Sequence, residues 1–449
     1  MKKSEGSFEI SRRDLVKKAG ATGALLTMST AMPWQAWAQE APPQIPVGQI
    51  VPFTGSAAEY GTYYRDAAKL AFDQINMAAQ EVFGGPIISR HITEDSNTLP
   101  TPAIAAARKL VEADSVPAII AEWSSGVTVA IATSVTLPAG VLQVANGATS
   151  PLVTVLPEDE GVDLLFRTSP SDLLQGVVAA ELAIGNIIPD YKFSKVATVY
   201  INNPYGQGLS NAFAAAFEAR GGTVLAQVAH PEEVQPTYRS QIQAALEGGP
   251  DLILAATYPA QTAAIVKEAR DIFNFTSFQY TDANRSEEVL SAVGLEALEG
   301  KLGTVPHADP ESDSYKAFVE AYNAAFSPDH IPPFTETTYD AAMVIGLAMA
   351  KAVADGKKTP EEITGRVLAD NLRPVCNPEG EKVVGGSQAE ITKGVKLIAE
   401  GQDTDYVGAG GSVDFDEFGD VKTPVAIWRF IDGGTENVQI VPAADIPSA

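Results

Sequence analysis

Residues 195–230 read KVATVYINNPYGQGLSNAFAAAFEARGGTVLAQVAH, and their order decides the fold. KVATVYIN is rich in β-branched and aromatic residues and reads as a strand. GQGLSNAFAAAFEAR has helical spacing and ends at Gly221 and Gly222, the residues that stop a helix most readily. TVLAQVAH is a strand again. A strand, a helix and a strand in this order form the crossover unit of a parallel sheet.

The same alternation runs outward in both directions. Toward the N-terminus come VGQIVPF (47–53), a helix from about 62 to 80 with Ala67, Leu70, Ala71 and Ile75 on one face, the strand PIISRHITED, the helix TPAIAAARKLVEAD with Pro102 in its first turn, and the strand VPAIIAEW. SSGVTVAIATSVTL opens a further helix, GVLQVAN a further strand, and SDLLQGVVAAELAIGNI a helix that starts at a Ser/Asp cap. Toward the C-terminus, YRSQIQAALEGG, PDLILAAT, PAQTAAIVKEARDIF and SFQYTD continue the series. Two sheets of similar size are expected. After residue 306 the text becomes helical, in SYKAFVEAYNAAF and TETTYDAAMVIGLAMAKAVADG, with no strand expected in that block; residues 411–433 read as a β-hairpin.

The chain has 449 residues, 45% of them hydrophobic and 19% charged, enough to bury two or three domain cores. Its first 38 residues combine SRRDLVKKAG, the mildly apolar ATGALLTMSTAM and a small-x-small site at AWA, which reads as an export signal of twin-arginine type cleaved after Ala38. A plain secretory signal is the alternative. The remainder carries 25 basic and 53 acidic residues, a field that repels phosphate backbones and anionic lipid. Neither nucleic acid nor a membrane anchor is expected as a partner. Cys376 has no second cysteine to pair with, and His91, His230, His307 and His330 stand apart, so no metal or other cofactor is expected. DFDEFGD (414–420) echoes a calcium loop, but Phe418 stands at a ligand position and Val425 where the closing Glu belongs; a tight turn explains it better.

In open parallel sheets a ligand sits beyond the carboxyl ends of the strands, where helix N-termini expose their N–H groups. Six corners qualify: TGSAAEYG (54–61), EWSSG (122–126), NGATSP (146–151), NNPYGQG (202–208), TYPAQ (257–261) and TDANR (281–285). Small hydroxyls and glycines dominate the first three, whereas Tyr205, Tyr258 and Asp282 mark the others. That division suits a zwitterion. Ser124, Ser125 and Thr149 offer hydroxyls to a carboxylate, Asp282 offers an anion to an ammonium, and the tyrosines offer flat walls. Taken singly, each hydroxyl also fits a helix cap and each tyrosine fits ordinary packing. Ser124 lies in a near miss of the G-x-S-x-G nucleophile elbow, but Glu122 replaces the first glycine and no histidine sits in a catalytic loop, so no enzyme is expected.

The blocks PFTGSAAEYG, AFDQIN, EDSNT, AARKLVEADSV, EWSSGVTVA, NGATSP, FRTSPSDLLQG, YINNPYGQGLSNAF and TTYDA, in this order, resemble the Leu/Ile/Val-binding family of periplasmic solute-binding proteins that feed ABC importers. The resemblance covers essentially the whole chain after the signal. It implies the type I periplasmic-binding-protein fold: α/β, two Rossmann-like lobes with parallel sheets and three hinge crossings. Lobe 1 is then 45–167 plus 307–408, and lobe 2 is 168–306 plus 409–443. It further implies a carboxylate side of Ser124, Ser125, Gly147, Ala148 and Thr149, an aromatic lid at Tyr60, second-lobe walls at Tyr205 and Tyr258, an amine site at Asp282 and a side-chain pocket at Phe334. The partners implied are an amino acid or analogue, with apolar and branched-chain ones leading, and an ABC permease with its ATPase. A sensor of the same fold, or a binder of an amide, urea or aromatic acid, is the alternative. The family's early cysteine pair is absent, and residues 374–406 form an insert relative to compact members.

Overall fold

The computed structural model describes residues 41–447. The chain divides into the units Met1–Glu40 and Ala41–Ala449, and the expected export segment 1–38 lies outside the described residues. The first sheet contains β1 (Ile45–Val51), β2 (Ile88–Asp95), β3 (Ala118–Ile120), β4 (Leu142–Ala145) and β5 (Leu165–Arg167), all parallel, in the order β2-β1-β3-β4-β5. β3 and β4 are buried throughout, which is why their sequence is apolar except at Gln143, whose amide donates to Ala121 O and Thr128 O. β5 went unnoticed in the sequence because three residues carry no periodicity.

The opening stretch forms β6 (Lys195–Ile201), the helix Pro204–Ala219 and β7 (Thr223–His230). Asn203 caps the helix by accepting from Gly206 N, and Pro204 occupies the first turn, where its missing N–H costs nothing. Gly222 is required at the exit, since a Cβ there would sit 2.1 Å from the Phe217 ring. β8 (Leu252–Ala256), β9 (Phe278–Tyr280) and β10 (Leu302–Pro306) follow in parallel. An antiparallel hairpin, β14 (Val425–Ile431) and β15 (Gly434–Val441), completes a seven-stranded sheet in the order β15-β14-β10-β9-β8-β6-β7.

Two expectations need correction. The block after 306 does contain strands: β11 (Glu381–Val384) and β12 (Thr404–Gly408), with β13 (Gly411–Ser412), form a small third sheet. Charged residues at Glu381, Lys382 and Asp405 mask its pattern. The hairpin also lies later than 411–433, because Gly411–Ser412 turns back onto β12 and the chain joins the large sheet only at Val425. The helix Thr335–Ala354 is buried on nearly every side, between the helix Gly61–Val82 and the third sheet. Gly346 lets the two helices meet; a Cβ there would lie 2.6 Å from Ile75 Cγ1.

The chain passes between the two large sheets three times: after Arg167, after Pro306 and before Val425. The three passages lie side by side. Pro170 bridges to Val421, His307 N donates to Pro424 O at 3.0 Å, and the buried Arg167 pairs with Asp420. Asp420 belongs to the DFDEFGD segment, whose Asp416 accepts from Phe418 N and Asp420 N as a turn carboxylate does.

Candidate functional site

The corner after β3 is set by Glu122. Its buried carboxylate accepts from Ser96 Oγ at 2.5 Å and from Ser124 N at 2.7 Å, tying the end of β2 to the turn. Burial pushes this carboxyl up to about 7, against those two bonds. Ser124 is the N-cap of the helix Ser125–Ile131, accepting from Val127 N at 3.4 Å, and its hydroxyl also accepts from Tyr258 OH at 2.8 Å. Its bonds therefore run to a cap and to the other lobe, with no histidine among its partners. Ser125 Oγ accepts from Ser150 N at 3.1 Å, joining this corner to the one after β4.

In that second corner Gly147 packs flat on Trp123; a Cβ there would sit 2.5 Å from the indole Cδ1. Ala148 O and Ser150 O both accept from Arg167 Nη1, so the buried guanidinium shapes the loop from behind. Thr149 O accepts from Asp172 N at 2.7 Å, while its buried hydroxyl has no partner in good geometry.

Facing these, Tyr205 OH donates to Asp282 Oδ1 at 2.8 Å, and Gln175 Nε2 donates to the same oxygen at 2.9 Å. Tyr258 receives Asn203 Nδ2 at 3.1 Å while donating to Ser124. The rings form a continuous ladder across the lobes: Tyr60 to Trp123 at 5.2 Å between centroids, Trp123 to Tyr258 at 4.8 Å, and Tyr258 to Tyr205 at 5.6 Å. Phe334, with φ of 67° at the head of the helix Thr335–Ala354, packs into the same buried cluster. All ten residues singled out from the sequence are buried at this junction, and the Ser124–Tyr258 bond crosses it.

Sequence reasoning missed four neighbours: Tyr64, Trp123, Asp172 and Gln175. Asp172 matters most. It follows the true cap Ser171 and is fully buried, although an acid in a first helical turn ordinarily faces water. Both its carboxylate oxygens lack a hydrogen-bond partner among the described residues, as do Thr149 Oγ1 and Gln175 Oε1; the Thr149 hydroxyl lies near Asp172, but not at bonding geometry. Burial, then the charge of Asp282, raises the Asp172 carboxyl well above its usual range. Burial likewise lifts Asp282 to about 6, with Gln175 and Tyr205 holding it down. Two buried acids this close resist being ionised together. The i, i+3 spacing of Asp172 and Gln175 at a helix start was the available signal.

Chemically, the junction offers oxygen acceptors in excess of donors. An ammonium, with three N–H donors, would satisfy the acid pair and the Thr149 hydroxyl at once. The hydroxyls of Ser124 and Ser125, at the start of the helix Ser125–Ile131, offer a seat for a carboxylate.

Comparison with known proteins agrees with this architecture. The leucine-, isoleucine-, valine-, threonine- and alanine-binding protein of Pseudomonas aeruginosa is 27% identical over 321 residues, 72% of this chain and 81% of the relative. A leucine binding protein from Thermotoga maritima superposes with a TM-score of 0.69 at 24% identity, covering 89% of this chain and 99% of the other. A solute binding protein from R. palustris in complex with benzoate gives 0.67 at 17% identity, over 89% and 97%. Residues 44–415 match the model of the periplasmic binding protein family, and the chain belongs to that family.

Proposed function

We propose that this chain is the extracytoplasmic solute-binding subunit of an ABC importer, holding an α-amino acid between its lobes and presenting the closed form to a permease. The observation that carries this reading is the buried pair Asp172 and Asp282, in which both Asp172 oxygens lack a hydrogen-bond partner among the described residues and the cation that Asp172 feels, Arg167, is already paired with Asp420. Leaving such atoms unpaired costs about 1–3 kcal/mol each, a debt an ammonium removes on binding. Ser124, Ser125 and the 147–149 backbone take the carboxylate, and the aromatic ladder closes over the ligand. The named ligands of the Pseudomonas aeruginosa relative support an amino acid. No step in this cycle changes a bond of the ligand.

Calorimetry of the chain from residue 39 onward against a panel of amino acids, amides and aromatic carboxylates tests the reading. At least one amino acid should bind, and Asp172→Asn and Asp282→Asn should each weaken it tenfold or more, about 1.4 kcal/mol. Affinity within twofold of wild type in both variants, or binding of benzoate alone, would overturn it.

A further inference from the structure

Tyr60 has a second neighbour besides the ladder. It walls a cavity of about 210 Å³ between the lobes, which Glu59, Pro333 and Glu336 line from the first lobe and Arg285, Ser286 and Glu287 from the second, with His307 at the passage between them. The cavity adjoins the amine site through one loop. Arg285 N donates to Asp282 O at 3.1 Å, so the acid and the guanidinium stand at the two ends of a single turn, with Cα atoms within roughly 7 Å. Tyr64, in turn, feels the charges of both Glu336 and Asp282 and lies between the two regions.

The charges lining this cavity are not paired with each other. Arg285 Nε donates to Thr435 Oγ1 at 2.9 Å and Nη1 to Asn437 Oδ1 at 2.8 Å, both neutral acceptors. Among the described residues, no carboxylate stands within ion-pair distance of it. Glu336 is buried, receives no side-chain donor, and is held only by N–H groups at the start of its own helix. The Arg285 guanidinium on one lobe thus faces Glu336 and Glu59 on the other, attracted to Glu336 without forming an ion pair with it. A branched aliphatic side chain would press methyl groups against both and leave each desolvated and unsatisfied. A planar carboxyl or carboxamide group would instead accept from the guanidinium in the geometry it favours.

Building on the amino-acid reading, we infer that the ligand's side chain extends past Tyr60 and ends in a carboxylate or carboxamide that accepts hydrogen bonds from Arg285, with Glu336 as its second contact. The structure therefore points away from leucine, toward amino acids of glutamate or glutamine type. Arg285 is the specificity-determining residue.

The test is calorimetry of wild type, Arg285→Gln and Glu336→Gln with L-glutamate, L-glutamine and L-leucine. Arg285→Gln keeps a donor for Thr435 and Asn437, and Glu336→Gln covers the case in which it does not fold. In wild type, glutamate or glutamine should bind at least tenfold tighter than leucine. Arg285→Gln should weaken glutamate and glutamine tenfold or more and leave leucine within threefold. Glu336→Gln should change the glutamate-to-glutamine ratio by at least threefold. Leucine as the tightest ligand, or an equal loss for all three in Arg285→Gln, would overturn the inference and make the Arg285–Glu336 pair a closure contact. Binding of none of the three would remove the amino-acid reading itself, and this inference with it.

Discussion

At the level of single residues, the site is built from groups that stability alone would not choose. Asp172 is fully buried with both oxygens unpaired, so replacing it with Asn removes a carboxyl whose ionisation burial and Asp282 both oppose in the empty protein. Asp172→Asn should therefore stabilise the unliganded chain by about 1–2 kcal/mol in urea denaturation while weakening amino-acid binding. A variant less stable than wild type would show that the acid serves packing. Gly147 makes the opposite case. Its close approach to Trp123 leaves no room for a methyl group, so Gly147→Ala should displace the indole and cost about 1–3 kcal/mol, seen as a lower denaturation midpoint and altered Trp fluorescence. The hydroxyls, tyrosines and Asp282 were legible from the sequence because each follows a strand end. Asp172 was not, because a Ser-Asp pair at a helix start reads as a cap, and only its neighbours show that it is buried.

Among the elements, the passage from β12 to the second sheet hangs on one side chain. Asp340, inside the helix Thr335–Ala354, accepts from Tyr406 OH, Ala409 N and Gly410 N, each at 2.7 Å. Burial raises its carboxyl to about 7 in spite of those bonds. Removing it leaves three buried donors without an acceptor. Asp340→Ala should cost at least 3 kcal/mol, whereas Asp340→Asn, which retains one oxygen, should cost less. Equal and small losses in thermal denaturation would show that the donors find other acceptors. The helices and strands of the crossover units were legible because their periods are long and clean. The third sheet was not: β11 has four residues, two of them charged, and pairs with a strand about twenty residues away.

For the whole molecule, the predicted behaviour follows from two lobes joined by three adjacent passages and bridged at the site by Tyr258–Ser124. Ligand contacts both lobes, so it should favour the closed arrangement. Small-angle scattering should show a smaller radius of gyration with saturating amino acid than without; an unchanged radius would exclude lobe closure. The buried acids also set a pH dependence. Burial holds Glu122, Glu336 and Asp340 near 7, so the folded chain keeps protons that the unfolded chain has already lost, and stability falls as pH rises through that value. The buried His91, His230 and His307, lowered to about 4, act in the opposite sense, an effect that fades as the unfolded imidazoles lose their protons above 6.5. Across pH 6.5–7.5 the acids outweigh the histidines, and the unliganded protein should lose about 1 kcal/mol of unfolding free energy. Constant stability over that interval would mean these acids are better solvated than their burial implies.

The linear order of residues was enough to establish two α/β layers built on parallel strands, an acidic composition, and six strand-end corners with a hydroxyl side and an aromatic-acid side. These features are local: strand and helix periods, caps and turn residues act over a few positions, so they are written in the chain. Tertiary structure alone decided that Asp172 joins Asp282, that Trp123 completes the aromatic ladder, and that Arg285 and Glu336 face each other across the remaining space. Those pairs lie tens to hundreds of residues apart. Their chemistry depends on burial and on the absence of a partner, which arise only when separate segments pack and exclude water.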